Sequence, residues 1–214
     1  MPNHVTNKVT AARPVLESML NEQGLVDFNR ILPFKGEFPW NGVSGAAETA
    51  AEATLKAPLH ENTLIASLQQ DNRERVDILG LDDGDFEQFV QMLRNKRLCG
   101  FLHDMDFNRE AWGTKWNAYE QIVDLEEGYL LFDTAWSCPQ PLLTALSKLH
   151  PTEEIHVVFA DEDIGSNCGS FTLLNGALVS QDIAGCWVDM DKAEQEKWST
   201  FARGVKGWAD TEED

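Results

Sequence analysis

Two tryptophans, a tyrosine and a lysine fall within eight residues at Trp112-Gly113-Thr114-Lys115-Trp116-Asn117-Ala118-Tyr119. Indole faces stack on planar ligands and anchor protein interfaces, and a lysine meets a phosphate or a carboxylate. A second such stretch, Asp133-Thr134-Ala135-Trp136-Ser137-Cys138-Pro139, follows a short way downstream. Between them lie an alternating run from Asn117 to Val123, an acidic turn at Glu126-Glu127-Gly128 and an apolar run from Tyr129 to Phe132. Two β-capable runs joined by a short glycine-containing turn read as a hairpin. A hairpin brings its outer ends together, so Trp112–Trp116 and Trp136 meet at one end of a sheet. Residues 3–10 also alternate, which adds a strand bearing His4 and Asn7. His4, Asn7, Trp112, Lys115, Trp116, Asn117, Trp136 and Ser137 are therefore the candidate lining of one pocket for a ligand or partner. The competing reading is that the tryptophans plug the sheet end and spend their indole N–H groups inside it.

Other constellations carry less chemistry. Asp161-Glu162-Asp163, with Asp104 and Asp106, supplies hard oxygen ligands. Neither cluster has the spacing of a calcium loop, and alternation along a strand sends Glu162 to the other face from its neighbours. Cys99 and His103 are spaced to share a helix face, but without a second pair they make no zinc site. Ser137, Cys138, Cys168 and His156 lack a nucleophile elbow, an oxyanion loop and an orienting third residue. Gly165 and Gly169 do not open a helix after a strand, so no phosphate loop is expected. These readings predict no catalytic set, no metal and no cofactor.

Charge is the strongest bulk signal. The 214 residues hold 36 Asp and Glu against 17 Lys and Arg, a formal net charge of −19. Such a surface repels nucleic acid and anionic lipid and attracts basic proteins. Asp161, Glu162, Asp163, Asp189 and Asp191 are the candidate acidic surface, continued by the tail Asp210-Thr-Glu-Glu-Asp214. Duplex DNA presents a phosphate about every 1.7 Å of axis, and carboxylates at comparable spacing would occupy a DNA-binding groove. The plainer alternative is that acidity only keeps the protein soluble. No run approaches ~18 apolar residues, so no membrane span is expected. The start Met1-Pro2-Asn3-His4 lacks an export signal, and the scattered Cys99, Cys138, Cys168 and Cys186 suit free thiols of the cytoplasm.

The elements that position these residues follow in order. A strand at 3–10 leads into a helix over 11–22, and Phe28 to Phe34 starts as another extended piece. Residues 43–109 change texture: Ala46–Ala57, Leu59–Gln70 and Phe86–Arg97 are helix-prone, with Asp residues at capping positions before Phe86. After the hairpin come a helix from Pro139 to Leu149, a buried strand from Glu154 to Ala160, and a second hairpin over 170–183 with Asn175-Gly176 at its turn. A helix follows Asp189. Without the insertion the order is βαββαβ, an α+β ferredoxin-like sandwich with helices on one face of an antiparallel sheet. The expected division is 1–35 plus 110–185 for this domain, 43–109 for the helical insertion, and 186–214 for a C-terminal helix and acidic tail.

Several segments also bear a family likeness. Met1-Pro-Asn-His-Val-Thr-Asn7, Trp112-Gly-Thr-Lys-Trp-Asn-Ala118, Phe132-Asp-Thr-Ala-Trp-Ser137 with Pro139, and Ala160-Asp-Glu-Asp163 before Gly165 resemble a bacteriophage and conjugative-plasmid family with a YubB-type ferredoxin-like domain. The resemblance covers the first ~35 residues and roughly 110–185. It implies the ferredoxin-like fold, a mobile-element origin and a bacterial cytoplasmic setting; it implies no iron–sulfur cluster and brings no catalytic residues. The function expected is a non-enzymatic accessory protein that inhibits a host defence or DNA-directed protein through an acidic, partly DNA-mimicking surface. The alternative is a binder or sponge for a nucleotide-like ligand in a tryptophan-lined pocket.

Overall fold

A two-residue period along one strand sets the architecture. The computed structural model describes residues 2–208, so the acidic tail at 210–214 lies outside the described residues. Its strands are β1 (His4–Ala11), β2 (Tyr119–Asp124), β3 (Tyr129–Ala135), β4 (Ile155–Asp161), β5 (Cys168–Leu174) and β6 (Ala177–Ile183). They form one six-stranded sheet in the order β2-β3-β1-β4-β5-β6, every neighbour antiparallel. The first four strands thus have the split βαβ arrangement, with β5 and β6 added beside β4.

Register assigns the faces. Val5 pairs with Thr134 and Asp161, Asn7 with Phe132 and Phe159, and Val9 with Leu130 and Val157. All nine side chains are buried. Helices α1 (Arg13–Ser18) and α6 (Gln140–Leu149) add Val15, Leu16, Leu142, Leu143 and Leu146, each fully buried, to this core. Burial of these aliphatic side chains, about 1.5–3 kcal/mol each, is the main force fixing the face.

The extra C-terminal helix α7 (Lys192–Lys206) takes the other face. Its Trp198 and Ala202 pack with Ala160 of β4 and Cys168 of β5, on the opposite side of the sheet. Small apolar residues at those two strand positions give the helix a seat. The same face of β1 and β3 carries Lys8, Tyr129 and Leu131 instead.

The two sheet edges differ. At β2 the segment Val26–Phe28, which follows α1, closes the edge through side chains that imitate a ladder: Gln121 bonds both the N–H (2.6 Å) and the C=O (3.0 Å) of Val26, and Asn117 accepts from the N–H of Phe28 (2.9 Å). At β6 every residue is exposed. Its turn residues Asn175 and Gly176 both have positive φ, 50° and 74°, as the Asn-Gly pair requires.

Three local expectations change. The helix expected over 11–22 stops at Ser18, because the Asn21 side chain accepts from the N–H of Gln23 and Leu25 and offers the backbone a turn instead. The expected extended piece at Phe28–Phe34 begins as a 3-10 turn, Phe28–Arg30, capped by Asp27. Cys99 and His103 share no helix, because Gly100 with φ 89° ends α4 (Asp83–Cys99) between them.

The chain divides into two compact units, Met1–Pro33 with Asn108–Asp214, and Phe34–Phe107. The second is built on α2 (Gly45–Leu55), α3 (Thr63–Glu74) and α4. Ala47, Ala50 and Ala51 let α2 approach Phe89 and Met92 of α4 closely. Leu64, Ile65 and Leu68 of α3 stay exposed. That helix is tied instead by Arg73, bonded to Glu52 (2.9 Å) and to the carbonyl of Ala57 (2.6 Å). The buried His103 pairs with Glu48 at 3.2 Å, while its Nδ1 accepts from the N–H of Asp106.

Asn95 is the polar centre of this unit. Its oxygen accepts from the N–H of Glu37 (3.1 Å) and from Gln91 (2.9 Å), and its amide donates to the carbonyls of Glu37 (2.9 Å) and Leu102 (3.0 Å). Asn95→Ala leaves several buried partners unmet and is expected to cost about 3 kcal/mol of stability in urea unfolding. A loss under about 1 kcal/mol would show that water replaces the amide at no cost.

Candidate functional site

The sheet end at the start of β1 gathers part of the predicted pocket and rejects the rest. Asn7 is excluded by the alternation: it lies on the core face, while His4 lies on the opposite one. Its amide is spent on the carbonyl of Val5 (2.9 Å) and the hydroxyl of Thr134 (2.8 Å). Trp112 is a plug: it is buried, its indole N–H donates to the carbonyl of Leu32 at 2.8 Å, and the Phe28 ring meets it edge-on at 5.4 Å. Asn117 works inside the fold, donating to Asp27 at 2.7 Å besides holding Phe28. Partial burial would raise the Asp27 pKa, but the hydrogen bonds from Asn117 and Asn29 outweigh it and hold the carboxyl below its ordinary value.

Lys115, Trp136 and Ser137 do come together, in an open cleft of about 450 Å³ that Arg109, Gly113 and Thr114 also line. Arg109 was missed in the sequence because α5 (Asp104–Ala111) gives no sign of pointing a base at the hairpin. Thr114 donates its hydroxyl to the carbonyl of Ala135 at 2.8 Å, and Ser137 donates to that of Gly113. Both hydroxyls therefore brace the loop. Lys115 lies over the Trp116 ring, 5.1 Å from its centroid, and that ring is partly exposed.

Trp136 is the outlier. It is 55% exposed, and its φ of 72° is a left-handed conformation that costs a non-glycine residue roughly 1–2 kcal/mol. Its N–H donates to the carbonyl of Asn3 (3.0 Å), and its carbonyl accepts from the side chain of Asn167 (3.0 Å). Asn167 also donates to Asp161 at 2.8 Å. Asp161 in turn accepts from the Asn3 side chain (3.0 Å) and from the N–H of Asp163 (2.9 Å). Asp161 is 4% exposed, so its place in the predicted acidic surface is corrected: it is the buried hub that holds Trp136 out.

The acids that are on the surface converge elsewhere. Tyr119 OH and His4 Nδ1 are 2.9 Å apart, on the face away from the core. Burial, then the carboxylates of Asp133, Glu162 and Glu120, push the Tyr119 phenol up to about 12. Those three carboxylates come from three different strand ends, which no linear motif reveals. Glu162 and Asp163 are exposed. Asp189 and Asp191 are exposed as well, and Asp191 has a structural duty as the N-cap of α7, in a capping box with Glu194 that the Asp-x-x-Glu spacing could have disclosed.

The remaining constellations do not assemble. Burial pushes the Cys138 thiol up, and burial followed by Asp161 pushes Cys168 up to about 11, so both stay protonated at neutral pH. His156 pairs with Thr172 at 3.2 Å, on the exposed face of β4. Asp104 and Asp106 cap local turns in the helical unit. Among the described residues no group of three His, Cys, Asp or Glu could hold a metal ion, and no helix is long and apolar enough to cross a membrane. Gly165 and Gly169 are close-approach points: a Cβ at Gly165 would meet the Trp187 ring, and one at Gly169 the backbone of Asp182.

The family comparison agrees with the fold. Residues 111–201 match the family described as the ferredoxin-like domain in Api92-like proteins. The crystal structure of the protein api92 from Yersinia pseudotuberculosis aligns over 87% of this chain and 99% of that chain, at 12% identity and a TM-score of 0.37. No curated protein matches.

The acid cluster has a direct spectroscopic test. With Tyr129→Phe removing the other tyrosine, phenolate absorbance should report a midpoint at about 12 for Tyr119. The double change Glu120→Gln and Glu162→Gln should bring it down. A folded-state pKa above the unfolded one means that stability is full below about 10, the unfolded value, and is lost as pH rises through about 12. A midpoint at the ordinary tyrosine value would show that neither burial nor the three carboxylates act on the hydroxyl.

Proposed function

We propose that this chain is a non-enzymatic accessory protein of a phage or plasmid. In this reading it acts in the bacterial cytoplasm by binding and inhibiting a host protein with a basic, DNA-facing surface. The binding face is the sheet end around Trp136. Trp116 is a second anchor, and Glu120, Asp133, Glu162 and Asp163 form an acidic flank that stands in for phosphates. The single observation that carries this is Trp136, held outward in a strained backbone by a buried hydrogen-bonded hub. A fold has no stability reason to expose an indole at the expense of backbone strain, and strain of this kind collects at binding sites. Exposed tryptophans dominate interface energetics once covered, and acids beside them steer a basic partner. The formal charge of −19 points the same way.

One observation favours a second reading. Arg109 and Lys115 bring two cations to the cleft beside Trp136 in an otherwise acidic protein. A nucleotide-like ligand would stack on the indole and set its phosphate between them.

Quantitative capture from a bacterial lysate separates the two. Trp136→Gly removes the anchor and relieves the left-handed strain, so stability should hold while partner capture falls about tenfold or more. Glu162→Lys should weaken capture, and raised salt should release the partner. Lys115→Glu should leave the partner bound. Capture unchanged by Trp136→Gly and by salt would overturn the proposal; loss of nucleotide binding with Lys115→Glu would install the second reading.

A further inference from the structure

The sheet face away from the core is only half covered. Helix α7 shelters β4 and β5, and a groove of about 490 Å³ runs beside it along β1 and β3. Its floor is Leu131 and Val158, and its wall on α7 is Phe201 and Val205. Ile122, cross-strand from Leu131 and 52% exposed, extends the apolar floor onto β2. The volume is that of a small-molecule site, and the lining is the usual mixture of apolar walls and few polar groups.

Two features make this more than uncovered surface. The first is Lys8. It stands between Leu131 and Val158 in the register, its ammonium 4.4 Å from the centroid of the Tyr129 ring. No carboxylate pairs with Lys8 among the described residues, and its charge is the only one lining the groove. A single cation flanked on both sides by aliphatic residues in an otherwise uncharged groove complements an anion with an apolar body. The second is Gly204, in the last turns of α7 and facing the groove. A Cβ there would meet nothing within 4 Å. Glycine inside a helix is unfavourable relative to alanine, and no close approach in the folded chain requires it here. It leaves that edge of the groove without a side chain.

We infer that this groove binds a free apolar monocarboxylate, its hydrocarbon body on Leu131, Val158, Phe201 and Val205 and its carboxylate on Lys8. The Lys8 charge selects the acid over a neutral analogue, and the edge at Gly204, which bears no side chain, admits the hydrocarbon chain. The inference is independent of the partner proposed for Trp136, which belongs to the sheet end.

Decanoate and decanol are the probes, titrated against the whole protein by calorimetry and by displacement of an anilinonaphthalene sulfonate. Decanoate should bind saturably and decanol about tenfold more weakly. Lys8→Met should remove that preference and leave decanol binding unchanged. Gly204→Leu should abolish binding of both, with a melting temperature no lower than that of the parent, because leucine favours the helix. Trp136→Gly should change none of this. No saturable binding of decanoate, or binding indifferent to both Lys8→Met and Gly204→Leu, would overturn the assignment.

Discussion

Strand β1 is paired on both sides, and the two-residue period of its side chains decides nearly everything else. A slip of one residue against β3 would turn Val5 and Val9 to solvent and bring Thr6 and Lys8 into the core. Asn7 opposes such a slip. It is a buried amide on the core face whose N–H groups reach the hydroxyl of Thr134 and the carbonyl of Phe132 across the β1–β3 pair, partners that the native register supplies. A buried donor met across the strand pair in one alignment penalises alignments that leave it unmet. The residue that resembles a ligand-binding asparagine in sequence is thus a register pin.

From that fixed register the sheet end inherits its properties. His4 and Glu162 emerge beside each other because Glu162 N–H bonds the His4 carbonyl, and Trp136 emerges beside Asn3 for the same reason. The acids in this region then divide by environment. Asp161 is buried and consumed by three donors, which is how a carboxylate remains inside a fold. Glu162, one residue on, points to solvent and adds to the field at Tyr119. Neighbours in sequence carry opposite duties, one building the anchor and the other flanking it.

Much of the fold was legible because its signals are local. The Asn175-Gly176 turn, the acidic turn before Gly128, the spacing of Leu142, Leu143 and Leu146, and the alternation of β1 each act within a few residues. What was not legible depends on distant partners. Trp112 and Trp136 look alike in sequence, yet one is covered by Phe28 and Leu32 and the other is held out by Asn167. The side of the sheet taken by α7 depended on small residues at Ala160 and Cys168, in strands whose pairing had first to be known. Arg109 entered the cleft from a helix read only as part of the insertion. The shortening of α1 came from side-chain competition by Asn21, which composition does not reveal.

In the proposed function, the framework of strands is a scaffold and the work is done where β1, β3 and β4 begin or end. Hydrogen exchange on the captured complex tests this most directly. The account predicts new protection at the amides of 134–137 and 161–167, with the helical unit of residues 34–107 exchanging as in the free protein. Protection confined to 34–107, with the Trp136 end unchanged, would contradict it.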